Sequence, residues 1–118
     1  MKIRHYSEVE PVEDKPGVFR RVVIGPDEGA PTFVMRIFEL DPGRSTPYHT
    51  HDWEHEIFVL AGKAAAKGRD VETPLSEGTA VFVAPNEEHC FINTGDSVLR
   101  VMCLIPVEAR PSFQERSD

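Results

Sequence analysis

The chain has 118 residues, 20 of them acidic and 13 basic, for a formal net charge of −7. That length builds one core and not a cofactor domain joined to a substrate domain. The negative balance repels nucleic acid and anionic membrane surfaces, so neither is an expected partner. The N-terminal run MKIRHYSEVEPVEDK has no apolar leader core and no apolar run is long enough to span a bilayer, so the expectation is a soluble, cytoplasmic protein. Cys90 and Cys103 are too few and wrongly spaced for a disulfide framework or a thiolate zinc site, and read as buried small hydrophobes.

Ten prolines and eight glycines cut the chain into short pieces, none with a long apolar stripe of period 3.6. The pieces read as strands: Val18 to Ile24, Phe33 to Leu40, Glu56 to Leu60, Thr79 to Ala84, Phe91 to Asn93 and Val98 to Ile105. Between them lie the turn signals Gly25-Pro26, Asp41-Pro42-Gly43, Gly68-Arg69-Asp70 and Thr94-Gly95-Asp96. Many short strands with regular turns predict an all-β sandwich or barrel. The expected layout is a single domain with an N-terminal strand arm (1–32), a barrel core (33–106) and a polar tail (107–118).

The stretch PYHTHDWEHEIFVLAG, residues 47 to 62, concentrates the polar chemistry. His49 and His51 stand at i and i+2, so on a strand their imidazoles project to one face. Glu56 lies an odd number of residues beyond His51, so Asp52 to His55 must turn the chain into a neighbouring strand where Glu56, Phe58 and Leu60 share a face. His55 would then point the other way. His89, after the strand TAVFVA, could return a third imidazole to the same cavity. Three neutral imidazoles and one carboxylate suit a first-row divalent cation, with open positions if coordination is octahedral.

These residues also carry a family resemblance. Gly43, His49, His51, Glu56 and Gly62 resemble the first cupin motif, and Gly78, Pro85, His89 and Asn93 the second, over about Phe33 to Pro106. The resemblance implies an antiparallel jelly-roll barrel (double-stranded β-helix). It also implies His49, His51, Glu56 and His89 as metal ligands, manganese as the expected ion with iron, nickel, cobalt and zinc as alternatives, and commonly a homodimer. In the second motif the usual glycine falls on Asn86, a residue that tolerates left-handed backbone.

HDWEH, His51 to His55, also fits the H-x-x-E-H zinc-protease pattern. That pattern needs a helix, which Pro47 upstream and the strand-like IFVL downstream oppose. Arg36 is the candidate catalytic residue, either an outward salt-bridged side chain or an inward cation beside the metal. Phe58, Leu60, Phe82 and Met102 read as barrel lining, Trp53 as a cap or an interface residue, and Asn93 as a tie for its own loop. The whole is similar to small cupins grouped with oxalate decarboxylases, although the arginine those carry before the first metal histidine is replaced here by Ser45-Thr46-Pro47-Tyr48. The functional expectation is a metal-dependent cupin, an enzyme if catalytic, acting on a small carboxylate or oxygenated organic molecule. A dioxygenase of the Fe(II) type and a non-catalytic ligand sensor are the alternatives. The N-terminal run VFRRVVIG is the expected strand to extend a partner's sheet in a dimer.

Overall fold

A computed structural model of the protein describes residues 1–109. Nine strands occupy it: β1 (Val12–Lys15), β2 (Val18–Ile24), β3 (Phe33–Leu40), β4 (His55–Ala61), β5 (Ala64–Gly68), β6 (Val71–Leu75), β7 (Ala80–Val83), β8 (Cys90–Asn93) and β9 (Leu99–Pro106). They pair antiparallel into a six-stranded sheet, order β1-β2-β3-β9-β4-β7, and a three-stranded sheet, order β6-β5-β8. Single bridges from Ser45 to Ile92 and from His49 to His89 carry the segment before β4 across to β8. This is the all-β jelly-roll arrangement that the strand pattern predicts.

Register decides what the larger sheet presents inward. Leu40 stands opposite both Val18 and Leu99, and Phe38 stands opposite Val101, which in turn faces Val59. Arg36 stands opposite Cys103, which faces Ile57. Residues paired across strands share a face, so these rows form one inner wall. β9 shows the alternation plainly, with Leu99, Val101, Cys103 and Ile105 buried and the residues between them half-exposed. Ala64 and Phe91 close the core from the smaller sheet. Burying a side chain the size of Leu40, Leu99 or Ile105 contributes about 1.5–3 kcal/mol each.

β1, β5 and β6 are absent from the strand pattern of the sequence. β5 is the run Ala64-Ala65-Ala66, which lacks the β-branched residues that mark a strand. β6 contains Pro74, which is tolerated because β6 is an edge of its sheet, where a missing N–H breaks no ladder bond. The expected Gly68-Arg69-Asp70 turn joins them, with Asp70 at φ 64. Gly62, at φ 95, is required on two counts. A Cβ there would meet the Val98 carbonyl oxygen at 3.0 Å and Leu99 Cα at 3.1 Å, against backbone that cannot move aside.

β2 lies between β1 and β3, with β1 covering Val18 to Arg20 of the run VFRRVVIG. The arm is built into the large sheet, pinned by an ion pair in which buried Arg20 donates from Nε to Asp14 Oδ2 at 3.0 Å. One expectation is corrected. Phe58, Leu60, Phe82 and Met102 do not line the barrel. β4 alternates with Ile57 and Val59 inside, leaving Phe58 and Leu60 exposed on the outer face, with Met102 and Ala80 directly beside Phe58. Both sets of β4 are apolar, so the hydrophobic pattern alone could not choose between them. Of the expected polar tail, Val107–Ala109 form a short helical turn with Ala109 buried, and residues 110–118 lie outside the described residues.

Candidate metal centre

Three elements deliver the histidines to one end of the barrel. His49 and His89 face each other across their bridge, each backbone N–H donating to the other's carbonyl at 3.2 and 3.1 Å, so both imidazoles leave on the same side. His51 follows two residues after His49, held by the Asn86 N–H, which donates to the His51 carbonyl. Asn86 itself sits at φ 66, the left-handed conformation expected of it. Ligand nitrogens of His49, His51 and His89 all lie within 4.8 Å of one another. This is the expected gathering of three imidazoles.

Glu56 does not join them. β4 begins at His55, which pairs with Val83, and points inward with Ile57 and Val59. Glu56 therefore stands on the outer face, exposed, between Phe82 and Leu104. The turn after His51 is one residue shorter than the expectation required, and a one-residue slip moves every side chain of the strand to the other face. His55, expected to face away, takes the inward place. It is buried, with its Nε2 2.9 Å from His89 Nε2. Neighbouring ring centroids in the four-histidine cluster lie between 4.8 and 5.1 Å apart.

Hydrogen bonds settle which ring nitrogens carry protons. His51 Nδ1 lies 2.7 Å from the Trp53 carbonyl oxygen and His89 Nδ1 2.7 Å from the Glu87 carbonyl oxygen. A carbonyl only accepts, so in both rings Nδ1 is the N–H and a neutral ring's Nε2 keeps a bare lone pair. Trp53 also stacks flat on His51, 3.6 Å between centroids and 5° between planes, which fixes the ring further. His51 Nε2 is buried without a hydrogen-bond partner among the described residues. Burial, then the neighbouring His89 and His51 and Arg36, lowers the His49 pKa to about 4. Burial, then His89, Arg36 and the other histidines, lowers that of His55 to about 2, and burial also depresses His51. Burial thus holds His49, His51 and His55 toward the neutral form, in which each ring keeps one lone pair.

Arg36 faces the cavity. Its guanidinium is buried, lies 4.9 Å from the Phe38 ring centroid and donates from Nη2 to Cys103 Sγ at 3.1 Å. Its Nε has no hydrogen-bond partner among the described residues. The cavity between Arg36 and the histidines measures about 70 Å³, and its remaining wall is mostly apolar, including Phe38, Leu40, Ile57, Phe91, Leu99 and Val101. Among the described residues no carboxylate lines it. Glu87 accepts instead from the Ala84 N–H, and Glu88 from the Tyr48 hydroxyl. Asn93 ties its own loop as expected, its Nδ2 donating to the Leu40 and Ser97 carbonyls. A larger open groove along Gly62, Lys63, Glu77 and Asp96 holds none of these groups.

The donor set fits a divalent cation. A buried lone pair with no partner is costly unless something accepts it, and imidazole nitrogen suits zinc, iron, copper and nickel. The His55–His89 separation of 2.9 Å suits a hydrogen bond between neutral rings. It also suits two ligands of one ion, since nitrogens at about 2.1 Å from a cation and at right angles lie roughly 3 Å apart.

A jelly-roll barrel with a cluster of imidazoles able to bind a divalent metal at one end defines the class. The chain belongs to the cupin domain family, whose defining pattern it matches over residues 36–105. It is 30% identical to Protein SchB of Streptomyces halstedii over 114 residues, 95% of this chain and 83% of that one. It is 31% identical to the polyketide cyclase RemF from Streptomyces resistomycificus, whose solved structure superposes with a TM-score of 0.84 over 91% of this chain and 80% of that one. An oxalate-binding protein of Thermotoga maritima is 31% identical over 68 residues, 57% of this chain and 56% of that one. No helix among the described residues is long and apolar enough to cross a membrane.

The depressed histidines make the metal-free protein acid-sensitive in a defined window. The unfolded chain takes up these protons below about pH 6.5, whereas the folded chain waits until about pH 4 for His49 and lower for His55. Stability is therefore full above about pH 6.5 and falls as pH drops through the range below it. Urea unfolding of chelator-treated protein is expected to give a lower midpoint at about pH 5 than at about pH 7, with a smaller difference in His55→Asn. Equal midpoints for the unaltered protein would contradict the burial of neutral imidazoles.

Proposed function

We propose that the protein is a metal-dependent enzyme that holds a divalent cation through His49, His51, His55 and His89 and acts on an oxygen-rich, otherwise apolar organic substrate, in the manner of a polyketide cyclase. The observation that carries the reading is the pair of carbonyl-locked imidazoles with bare Nε2 atoms, facing a buried guanidinium with an unpartnered N–H. The cation, when bound, supplies Lewis-acid polarisation of a substrate carbonyl. Arg36 is positioned to donate its Nε–H to the oxygen that gains negative charge, a charge-assisted hydrogen bond in a site of low polarity. The apolar wall faces the carbon atoms next to the polarised carbonyl and keeps water from the reacting end. With no carboxylate in the cavity among the described residues, proton shuttling by Asp or Glu has no candidate there, so the chemistry rests on the cation, Arg36 and the imidazoles. The 31% identity to a polyketide cyclase over most of both chains supports this substrate class.

A second reading, binding or turnover of a small dicarboxylate, is favoured by the cavity volume of about 70 Å³, which admits only a few heavy atoms at a time. Calorimetric titration of a simple 1,3-diketone and of oxalate into zinc-loaded and chelator-treated protein separates the two. The expected result is diketone binding only in the zinc-loaded form, weakened about 10- to 100-fold in Arg36→Gln. Oxalate binding tighter than the diketone would move the assignment to the small acid, and no binding of either would remove both.

We assign the homodimer that the sequence resemblance implies to the outer face of β4, β7 and β9. There Phe58, Phe82 and Leu60 are exposed beside Met102 and Leu104. A self-complementary apolar face suits a twofold interface. Sedimentation is expected to give a dimer mass that Phe82→Asp reduces to a monomer. A monomer mass for the unaltered protein at all concentrations would remove the assignment.

A further inference from the structure

Two of the four rings, His51 and His89, are held in one tautomer by carbonyl oxygens. His55 is held differently. Its Nδ1 lies 3.2 Å from Cys103 Sγ, and that sulfur also accepts from Arg36 Nη2 at 3.1 Å. Cys103 is buried to 1% exposure, so no solvent competes for these contacts. A carbonyl is an acceptor alone, whereas a thiol both donates and accepts weakly.

The difference matters because the metal-free and metal-bound sites need opposite tautomers of His55. Without metal, His89 Nε2 is a bare lone pair, because the Glu87 carbonyl keeps the His89 proton on Nδ1. His55 therefore donates its proton from Nε2 across the 2.9 Å gap, and its Nδ1 accepts the Cys103 S–H. The contacts then run in one direction, from Arg36 to Cys103 to His55 to His89 to the Glu87 carbonyl. Binding a cation needs the Nε2 lone pair of His55, so the ring's one proton must sit on Nδ1 instead, with no net change in protonation. Nδ1–H then donates to the same sulfur.

We propose that Cys103 is a positioning residue for the metal centre, a two-way hydrogen-bond partner that holds His55 in place in both tautomers and ties its ring to Arg36. This rests on the metal-binding reading given above, and extends it to a residue whose sequence context reads as that of a small buried hydrophobe. A carbonyl or carboxylate at that place would hold the metal-ready tautomer but leave the metal-free one with two lone pairs facing each other. An aliphatic side chain would satisfy neither.

The test compares the unaltered protein with Cys103→Val, which keeps the volume and loses both hydrogen bonds, and Cys103→Ser, which keeps a group that donates and accepts. Nitrogen-15 NMR of labelled histidine reports each ring's tautomer, with His51 and His89 as internal references, and zinc titration reports affinity. The expected spectra place the His55 proton on Nε2 in chelator-treated protein and on Nδ1 in zinc-loaded protein. Cys103→Val is expected to bind zinc about 10- to 100-fold more weakly, the usual cost of removing an outer partner of a metal-ligating histidine. Cys103→Ser is expected to recover most of that loss. If Cys103→Val fails to fold, the tautomer exchange in the unaltered protein and the serine variant carry the test. Zinc affinity unchanged in Cys103→Val, or one His55 tautomer in both states, would overturn the proposal while leaving the metal centre standing. Failure of the unaltered protein to bind zinc at all would overturn both.

Discussion

The open end of this barrel is organised by one requirement, that His49, His51 and His55, set in a cluster of imidazoles packed about 5 Å apart, stay uncharged. Two protonated rings at that separation, shielded from water and close to Arg36, would repel strongly, and burial alone already disfavours the charged form. Burial enforces neutrality against the opposing pull of the backbone carbonyls, and those carbonyls, one at Nδ1 of His51 and one at Nδ1 of His89, fix the tautomer that leaves each Nε2 its lone pair. Such an arrangement is poor for stability by itself. It becomes favourable when a cation accepts those lone pairs, because binding to the native state alone adds to folding free energy.

The remainder of the site follows from register. Arg36, Cys103 and Ile57 occupy one row across β3, β9 and β4, so a guanidinium, a thiol and an apolar side chain arrive together beneath the histidines. A row further in, Phe38, Val101 and Val59 give the site an apolar floor. Among the described residues Arg36 has no carboxylate within that floor, and the Phe38 ring beneath it offers only weak compensation. A cation buried on such terms is suited to an anionic or polarisable oxygen brought in from solution, which is why metal and arginine are read as two halves of one binding site.

How much of this was legible beforehand varies with the kind of signal. β2 and β3 are found where the sequence places them, because VFRRVVI and FVMRIFEL are rich in β-branched and aromatic residues and bounded by Gly and Pro. His49, His51 and His89 were legible from the H-x-H spacing and the returning strand. Facing Glu56 inward and His55 outward is a register error. HEIFVL is apolar on both faces, and only the length of the Asp52–Glu54 turn sets which face goes in. A weak clue was present. His55, Ile57 and Val59 put the β-branched residues on one side, while Glu56 shares the other with Phe58 and Leu60, leaving a carboxylate with no cation along that strand face. The side of Arg36 is not legible in the sequence, because FVMRIFEL carries apolar residues on both faces as well. Cys103 could not have been singled out, since its partners Arg36 and His55 are 67 and 48 residues away in the chain.

The central claim, that His55 and not Glu56 completes the metal centre, is tested most directly by titrating cobalt(II) into chelator-treated protein and following its visible absorption. His55→Ala should weaken binding and change the spectrum, and Glu56→Ala should match the unaltered protein in both. Retained binding with an unchanged spectrum in His55→Ala, together with loss of binding in Glu56→Ala, would contradict the register on which the whole account stands.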